Sequence, residues 1–195
     1  MTITAIILCG GEGSRMGHKN KGLLELGGKP LIQRTIERLP ETVTEILVSA
    51  NADVDSYRNL GYTVIVDELS DCGPLAGILA CSKKAKGETL YVTACDTPFL
   101  TASTVSKLCQ VIESGTSNLA MASDGSGIHH LCFASNKEIA PSIEGYLKQG
   151  NRSVKDWQAL HQPTILSITS EKSQEFLNIN SEHELHSAQK ILLDT

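Results

Sequence analysis

With 195 residues, 41% of them hydrophobic and 20% charged, the chain has enough material for one domain with a buried core, and its composition is neither disordered nor fibrous. A formal net charge of -5, with no basic run and no basic patch interleaved with aromatics, argues against nucleic acid as a partner, although a nucleotide needs only a local cluster of positive charge. No apolar run approaches membrane-spanning length and Thr2–Leu8 is too short for a signal peptide; six scattered cysteines without a Cys-x-x-Cys pair read as reduced thiols, so the expectation is a monomeric cytoplasmic protein that neither spans nor binds a membrane.

Thr2–Leu8 reads as a short strand buried on both faces. It breaks into Cys9-Gly10-Gly11-Glu12-Gly13-Ser14-Arg15-Met16-Gly17-His18-Lys19-Asn20-Lys21, a glycine-rich loop carrying one arginine and two lysines. Glycines admit backbone N–H groups close to an anion, and Arg15 and Lys21 add full charges, so the loop suits a phosphate. It is not a P-loop, because neither Gly17-His18-Lys19 nor Gly28-Lys29-Pro30 gives Gly-Lys-Ser/Thr at the required spacing. Nor is it a dinucleotide fingerprint, since Met16 stands where the third glycine should allow helix and strand to pack.

Pro30 fits a first helical turn, Ile32, Thr35, Ile36 and Leu39 give helical spacing, and Pro40 stops the helix. Glu45–Ser49 is a second strand leading into Ala50-Asn51. A short helix with Tyr57 and Leu60 closes at Gly61. Thr63–Val66 is a third strand with Asp67 at its end. Gly73-Pro74-Leu75-Ala76-Gly77 opens a helix that Gly87 ends. Thr89–Ala94 is a fourth strand followed by Cys95-Asp96-Thr97-Pro98, and Val105, Leu108, Cys109 and Ile112 mark the next helix. Beyond residue 118 the expectation is two strands, Leu119–Ser123 and His129–Ala134, joined by a turn at Asp124-Gly125-Ser126-Gly127. Helices over Ile139–Gln149 and Asn151–Leu160, a short strand at Thr164–Ile168, and a last helix begun by the capping box Ser181-Glu182-His183-Glu184 follow.

This alternation predicts one α/β domain with a mostly parallel sheet and helices on both faces: residues 1–118 as a nucleotide-binding part, 119–195 as an acceptor-binding part. Ligands of such sheets bind beyond the carboxyl ends of strands. The glycine loop, Ser49-Ala50-Asn51, Asp67 and Asp96 all lie at such ends. Asp96, after a buried strand and just before a rigid Pro98, suits magnesium, which takes one or two carboxylates with phosphate oxygens and water. Asp67 reads as a second ligand or a contact to base or ribose. No histidine is placed beside Ser14 or Cys9 for covalent catalysis. His129 and His130, adjacent on a strand, should point to opposite faces, and Trp157 reads as packing. Glycine loop, Arg15, Lys21 and an aspartate-held magnesium together suit nucleotidyl transfer, in which positioning and electrostatics supply most of the catalysis.

Leu8-Cys9-Gly10-Gly11, Arg15-Met16-Gly17, Lys21-Gly22-Leu23-Leu24, Gly28-Lys29-Pro30-Leu31, Gly73-Pro74-Leu75-Ala76-Gly77, Cys95-Asp96-Thr97-Pro98 and Asn178-Ile179-Asn180 resemble the signature of the molybdenum cofactor guanylyltransferases, the MobA family, over almost the whole chain. The resemblance implies a Rossmann-like three-layer fold and transfer of GMP from GTP to molybdopterin-bound molybdenum, releasing pyrophosphate. It implies that Leu8, Cys9, Gly10 and Gly11 contact GTP, Lys21 holds its phosphates, Asp67 helps bind the nucleotide, Asp96 holds Mg2+, and Asn178 and Asn180 face the pterin. It also implies exchange with proteins that donate or accept the cofactor. The chain departs from the family pattern at Cys9 (alanine is common), Asn20 (aspartate), Ser49 (asparagine, whose work Asn51 would take) and His130 (proline). Rival readings are a cytidylyltransferase for the same pterin, a sugar-1-phosphate nucleotidyltransferase and a non-catalytic nucleotide-binding regulator. Gly10-Gly11 and Thr97 favour guanine, and intact Lys21 and Asp96 favour catalysis.

Overall fold

A computed structural model describes residues 2–10, 20–69, 72–169 and 174–193. β1 (Ile3–Leu8) is buried along its whole length, as its unbroken apolar run requires. Each of its fully buried isoleucines contributes about 2 kcal/mol of transfer free energy. It pairs in parallel with β4 (Val43–Ser49) on one side and β6 (Thr89–Ala94) on the other, and β5 (Thr63–Ile65) adds in parallel to β4. Beyond β6 the direction changes. β8 (Gly127–Asn136) runs antiparallel to β6 and to β7 (Leu119–Asp124), and β9 (Thr164–Ser167) joins β7 in parallel, giving the order β5-β4-β1-β6-β8-β7-β9.

The helices cover both faces. One core layer holds Ile7, Val48, Tyr57, Tyr91, Leu108 and Cys132; the other holds Ile6, Leu75, Ile78, Leu90, Phe133 and Trp157. The first lies under α1 (Leu31–Glu37), α2 (Val54–Asn59) and α4 (Ala102–Glu113), the second under α3 (Pro74–Lys84), α5 (Ala140–Lys148) and α6 (Val154–Ala159). The three-layer, mostly parallel arrangement therefore stands, and Trp157 is packing, fully buried with its indole N–H donated to Ser142 Oγ at 3.1 Å.

Several boundaries move. Pro30 precedes α1 rather than opening it, because it closes a small antiparallel hairpin of β2 (Glu25–Leu26) and β3 (Lys29–Pro30). α3 stops at Lys84, three residues before Gly87. The last helix, α7 (Glu182–Leu193), docks on that hairpin: Leu26, Leu31, Ile179 and Ala188 form a third, separate cluster. This docking carries the C-terminal segment back to the carboxyl ends of β1 and β6.

β8 also departs from a regular strand. Met121 pairs with Phe133 but Ala122 with His129, so one step along β7 spans four along β8. The slack is a bulge at residues 130–132, of the kind that re-aims side chains next to sites.

Candidate active site

The carboxyl ends of β1, β4, β5 and β6 open into a cavity of about 720 Å³, a size suited to a nucleotide together with part of an acceptor. Leu8, Cys9, Gly10, Lys21, Asn51, Asp67, Asp96, Asn178 and Asn180 all line it. Gly11 and Arg15 lie outside the described residues.

At its centre Lys21 Nζ lies 3.6 Å from Asp96 Oδ2 and donates to Asn180 Oδ1 at 2.5 Å. Each of the three is fixed from behind. Lys21 begins a single 3-10 turn, Lys21–Leu23, whose N-cap is Asn20: its Oδ1 accepts from Gly22 N and from the Tyr57 hydroxyl, and its Nδ2 donates to Ala52 O. The turn sits so close to Tyr57 that a Cβ on Gly22 would meet the phenol oxygen at 2.4 Å. Asp96 follows the β1–β6 ladder, which Cys95 N extends to Leu8 O at 3.1 Å. The Asp96 carbonyl accepts from Ile179 N at 3.0 Å, and Ile179 is buried against the hairpin. Asn180 N donates to Glu184 Oε2 at 2.7 Å, while Ser181 Oγ accepts from Glu184 N at 3.2 Å, so the capping box that starts α7 also holds Asn180 against Lys21.

Burial raises the Asp96 carboxyl above the ordinary aspartate value, with Lys21 pulling the other way. The group is a desolvated carboxylate whose charge is balanced by one lysine at more than hydrogen-bonding distance. Among the described residues no group of three or more His, Cys, Asp or Glu side chains gathers to hold a metal.

On the β4–β5 side, Asn51 Nδ2 donates to Asp67 Oδ2 at 2.9 Å and Asp67 N to Asn51 Oδ1 at 3.1 Å, tying two strand-end loops into one wall. Ser49 is buried beside Gly77, where a Cβ would meet Ser49 Oγ at 2.1 Å. The small pair brings the N-terminal turn of α3, with Gly73 and Pro74, to the cavity wall, and the positive end of a helix dipole favours anions.

On the β8 side the expected alternation holds at the two histidines: the His129 ring stacks on Phe176, which packs against the first core layer, and the His130 ring bonds Gln158 of α6, which covers the second, while both residues line the cavity at the sheet edge with Ile128, Leu131 and Cys132. The His129 ring stacks on Phe176 at 4.0 Å between centroids and 6° between planes, and its Nε2 lies 3.0 Å from Asp124 Oδ1. His130 is clamped by Gln158. Both rings are partly buried. Sequence reasoning missed Phe176 and Gln158 as parts of the cavity wall and its support, and no spacing signal pointed to either.

Comparisons with known proteins identify the family and the fold. The model of the MobA-like NTP transferase domain matches residues 5–164. A molybdenum cofactor guanylyltransferase of Shewanella putrefaciens is 36% identical over 193 residues, covering 98% of this chain and 97% of that protein. Among solved structures, molybdopterin-guanine dinucleotide biosynthesis protein A of Archaeoglobus fulgidus superposes with a TM-score of 0.82 at 20% identity, covering 98% of this chain and 100% of that one. A nucleotidyl transferase of Methanothermobacter thermautotroptrophicus gives 0.77 at 19% identity, covering 98% of each chain. With the family model matched over most of its length and a full-length relative above one-third identity, the chain belongs to the MobA-like NTP transferase family and is a nucleotidyltransferase.

Proposed function

We propose that the protein transfers GMP from GTP to the phosphate of molybdopterin-bound molybdenum cofactor, giving molybdopterin guanine dinucleotide and pyrophosphate with magnesium. The observation that carries this reading is the meeting of Lys21, Asp96 and Asn180 midway along one cavity, with a polar wall of Ser49, Asn51 and Asp67 to one side and a wall of His129, His130 and Phe176 to the other. The relative from Shewanella putrefaciens, named for guanylyl transfer to molybdenum cofactor, supports the choice of substrates.

In this reading residues 1–118 form the nucleotide lobe and residues 119–195 the acceptor lobe. The nucleotide lies along Leu8, Cys9 and Gly10, with Asp67 and Asn51 toward base or ribose and the N-terminus of α3 toward phosphate. Lys21 holds the triphosphate, with Gly11 and Arg15 assigned by sequence to the same task. A phosphate oxygen of the acceptor attacks the α-phosphorus in line, the bond to the bridging oxygen breaks, and pyrophosphate leaves. A phosphate monoester is largely ionised at neutral pH, so no general base is needed. Asp96 fits a hard cation: it is a buried carboxylate incompletely neutralised by Lys21, and magnesium asks for one or two carboxylates with phosphate oxygens completing the shell. Bound there, magnesium would supply charge neutralisation for the phosphates. Lys21 and the Asn178–Asn180 segment then orient acceptor against donor, which is where most of the rate arises.

The test offers each of the four NTPs with magnesium and molybdopterin and follows pyrophosphate release. GTP-selective release supports the reading. Selectivity for CTP would replace it with cytidylyl transfer, release with a sugar phosphate alone would replace it with a sugar enzyme, and nucleotide binding without release would leave a regulator.

A further inference from the structure

Gln158 is a neutral amide on α6 with 1% of its surface exposed, and it is spent entirely on one residue. Its Nε2 donates to the His130 carbonyl at 2.9 Å, and its Oε1 lies 2.7 Å from His130 Nδ1. The backbone carbonyl can only accept, which sets the amide nitrogen toward it and the amide oxygen toward the ring. The amide oxygen can also only accept, so Nδ1 must carry a proton. The neutral ring is therefore the Nδ1–H tautomer, with its lone pair on Nε2. Among the described residues Nε2 takes no hydrogen bond, and the ring lines the cavity from the β8 bulge.

The bulge is the second observation. It lies at residues 130–132, where His130 lines the cavity on the far side of Asp96 from the Asn51–Asp67 wall. Next to it stand the stacked rings of His129 and Phe176 and the apolar Ile128 and Leu131. A flat, mostly apolar wall with one oriented hydrogen-bond acceptor suits a planar heterocycle that carries an N–H donor.

We infer that His130 is a recognition residue for the acceptor molecule, its Nε2 accepting a hydrogen bond from a ring or exocyclic N–H of the acceptor's heterocycle, and that Gln158 is the positioning residue that holds it in the Nδ1–H tautomer. This rests on the transfer reading above and adds to it the atom that reads the acceptor. The opposite tautomer would present a donor at Nε2 and repel the same N–H. A rotated ring would present nothing.

Two measurements test it. Long-range 15N–1H correlation on the wild-type protein, in mildly alkaline buffer, reads the tautomer without any substitution: a protonated Nδ1 and an unprotonated Nε2 are expected, and the reverse pattern overturns the inference. Steady-state kinetics with GTP and molybdopterin then compare wild type with Gln158→Met, which keeps the side-chain volume, and His130→Phe. Each should raise the acceptor KM by about tenfold, the loss expected for one hydrogen bond in a partly desolvated site, with the GTP KM within about twofold. The double variant should be no worse than either single one, because both act through one contact. A purely structural Gln158 would shift both KM values together or neither. A wild type that turns over, with variants matching its acceptor KM, overturns the inference alone. A wild type that releases no pyrophosphate from GTP and molybdopterin overturns the transfer reading and this inference with it.

Discussion

Lys21 and Asp96 come from the two strand-end segments on either side of the β1–β6 ladder, and they meet at 3.6 Å with 28% and 13% of their side chains exposed. That separation is an ion pair without a direct hydrogen bond. The lysine's close hydrogen bond goes to Asn180 instead, so its charge is held in the cavity without being consumed by the carboxylate.

Lys21→Ala should lower kcat for pyrophosphate release by about a hundredfold to a thousandfold, the size of effect seen when a positioned donor to developing phosphate charge is removed. The temperature of thermal unfolding should fall, because the largely buried Asp96 carboxylate loses the charge that offsets its burial. A kcat within a few-fold of wild type would remove Lys21 from the transfer step.

Asp96→Asn separates function from stability. Burial raises the native carboxyl above its unfolded value, so the native state holds its proton more tightly and its stability falls as pH rises through that interval. At neutral pH the ionised Asp96 is a cost to folding that the neutral amide does not carry. The variant should therefore melt at or above the wild-type temperature while losing turnover by about a hundredfold or more. A clear drop in melting temperature would show that the Lys21 pair outweighs burial.

Gly22→Ala should destabilise by about 2 kcal/mol, since its Cβ would lie 2.4 Å from the Tyr57 hydroxyl and 3.2 Å from Cys95 Sγ. Tyr57→Phe removes the clashing oxygen together with its hydrogen bond to Asn20. In a double-mutant cycle by chemical denaturation, Tyr57→Phe should cost less in the Gly22→Ala background than alone. Additive costs would show that the turn relaxes away from Tyr57 without strain.

Much of this arrangement was legible in the chain and some of it was not, for identifiable reasons. β1 and β6 announce themselves because strands buried on both faces read as unbroken apolar runs, and the convergence of Asn51, Asp67 and Asp96 follows from parallel topology alone. The Gly27-Gly28 hairpin went unread, although a Gly-Gly pair is itself a hairpin-turn signal and both glycines adopt positive φ. The contact of Asn180 with Lys21 spans 159 residues and depends on α7 docking against that hairpin, so only the family resemblance placed Asn180 near the site. The β8 bulge is invisible to period-2 reasoning, which assumes one residue per step. Period-2 reasoning still sends His129 and His130 to opposite layers, but it gives no hint of Gln158 or Phe176, which reach the two rings from distant segments.

Asp124 supplies the pH dependence. The Ser126 hydroxyl, at 2.6 Å, is the main group holding its carboxyl down at about 2, helped by the Ser126 backbone N–H at 2.8 Å and by His129. A carboxyl lowered from 3.8 contributes stability that is present above that value and is lost as pH falls toward about 2. Asp124→Asn should cost at most about 1 kcal/mol at neutral pH, because the group is partly exposed, and should flatten the acid limb of the stability curve between about pH 4 and 2. The same carboxylate lies 3.0 Å from Nε2 of the His129 ring that stacks on Phe176, so its replacement should disturb the acceptor wall and leave the Asn51–Asp67 wall untouched. The acceptor KM should rise severalfold with the GTP KM constant. A rise in the GTP KM alone would place Phe176 and His129 with the nucleotide instead.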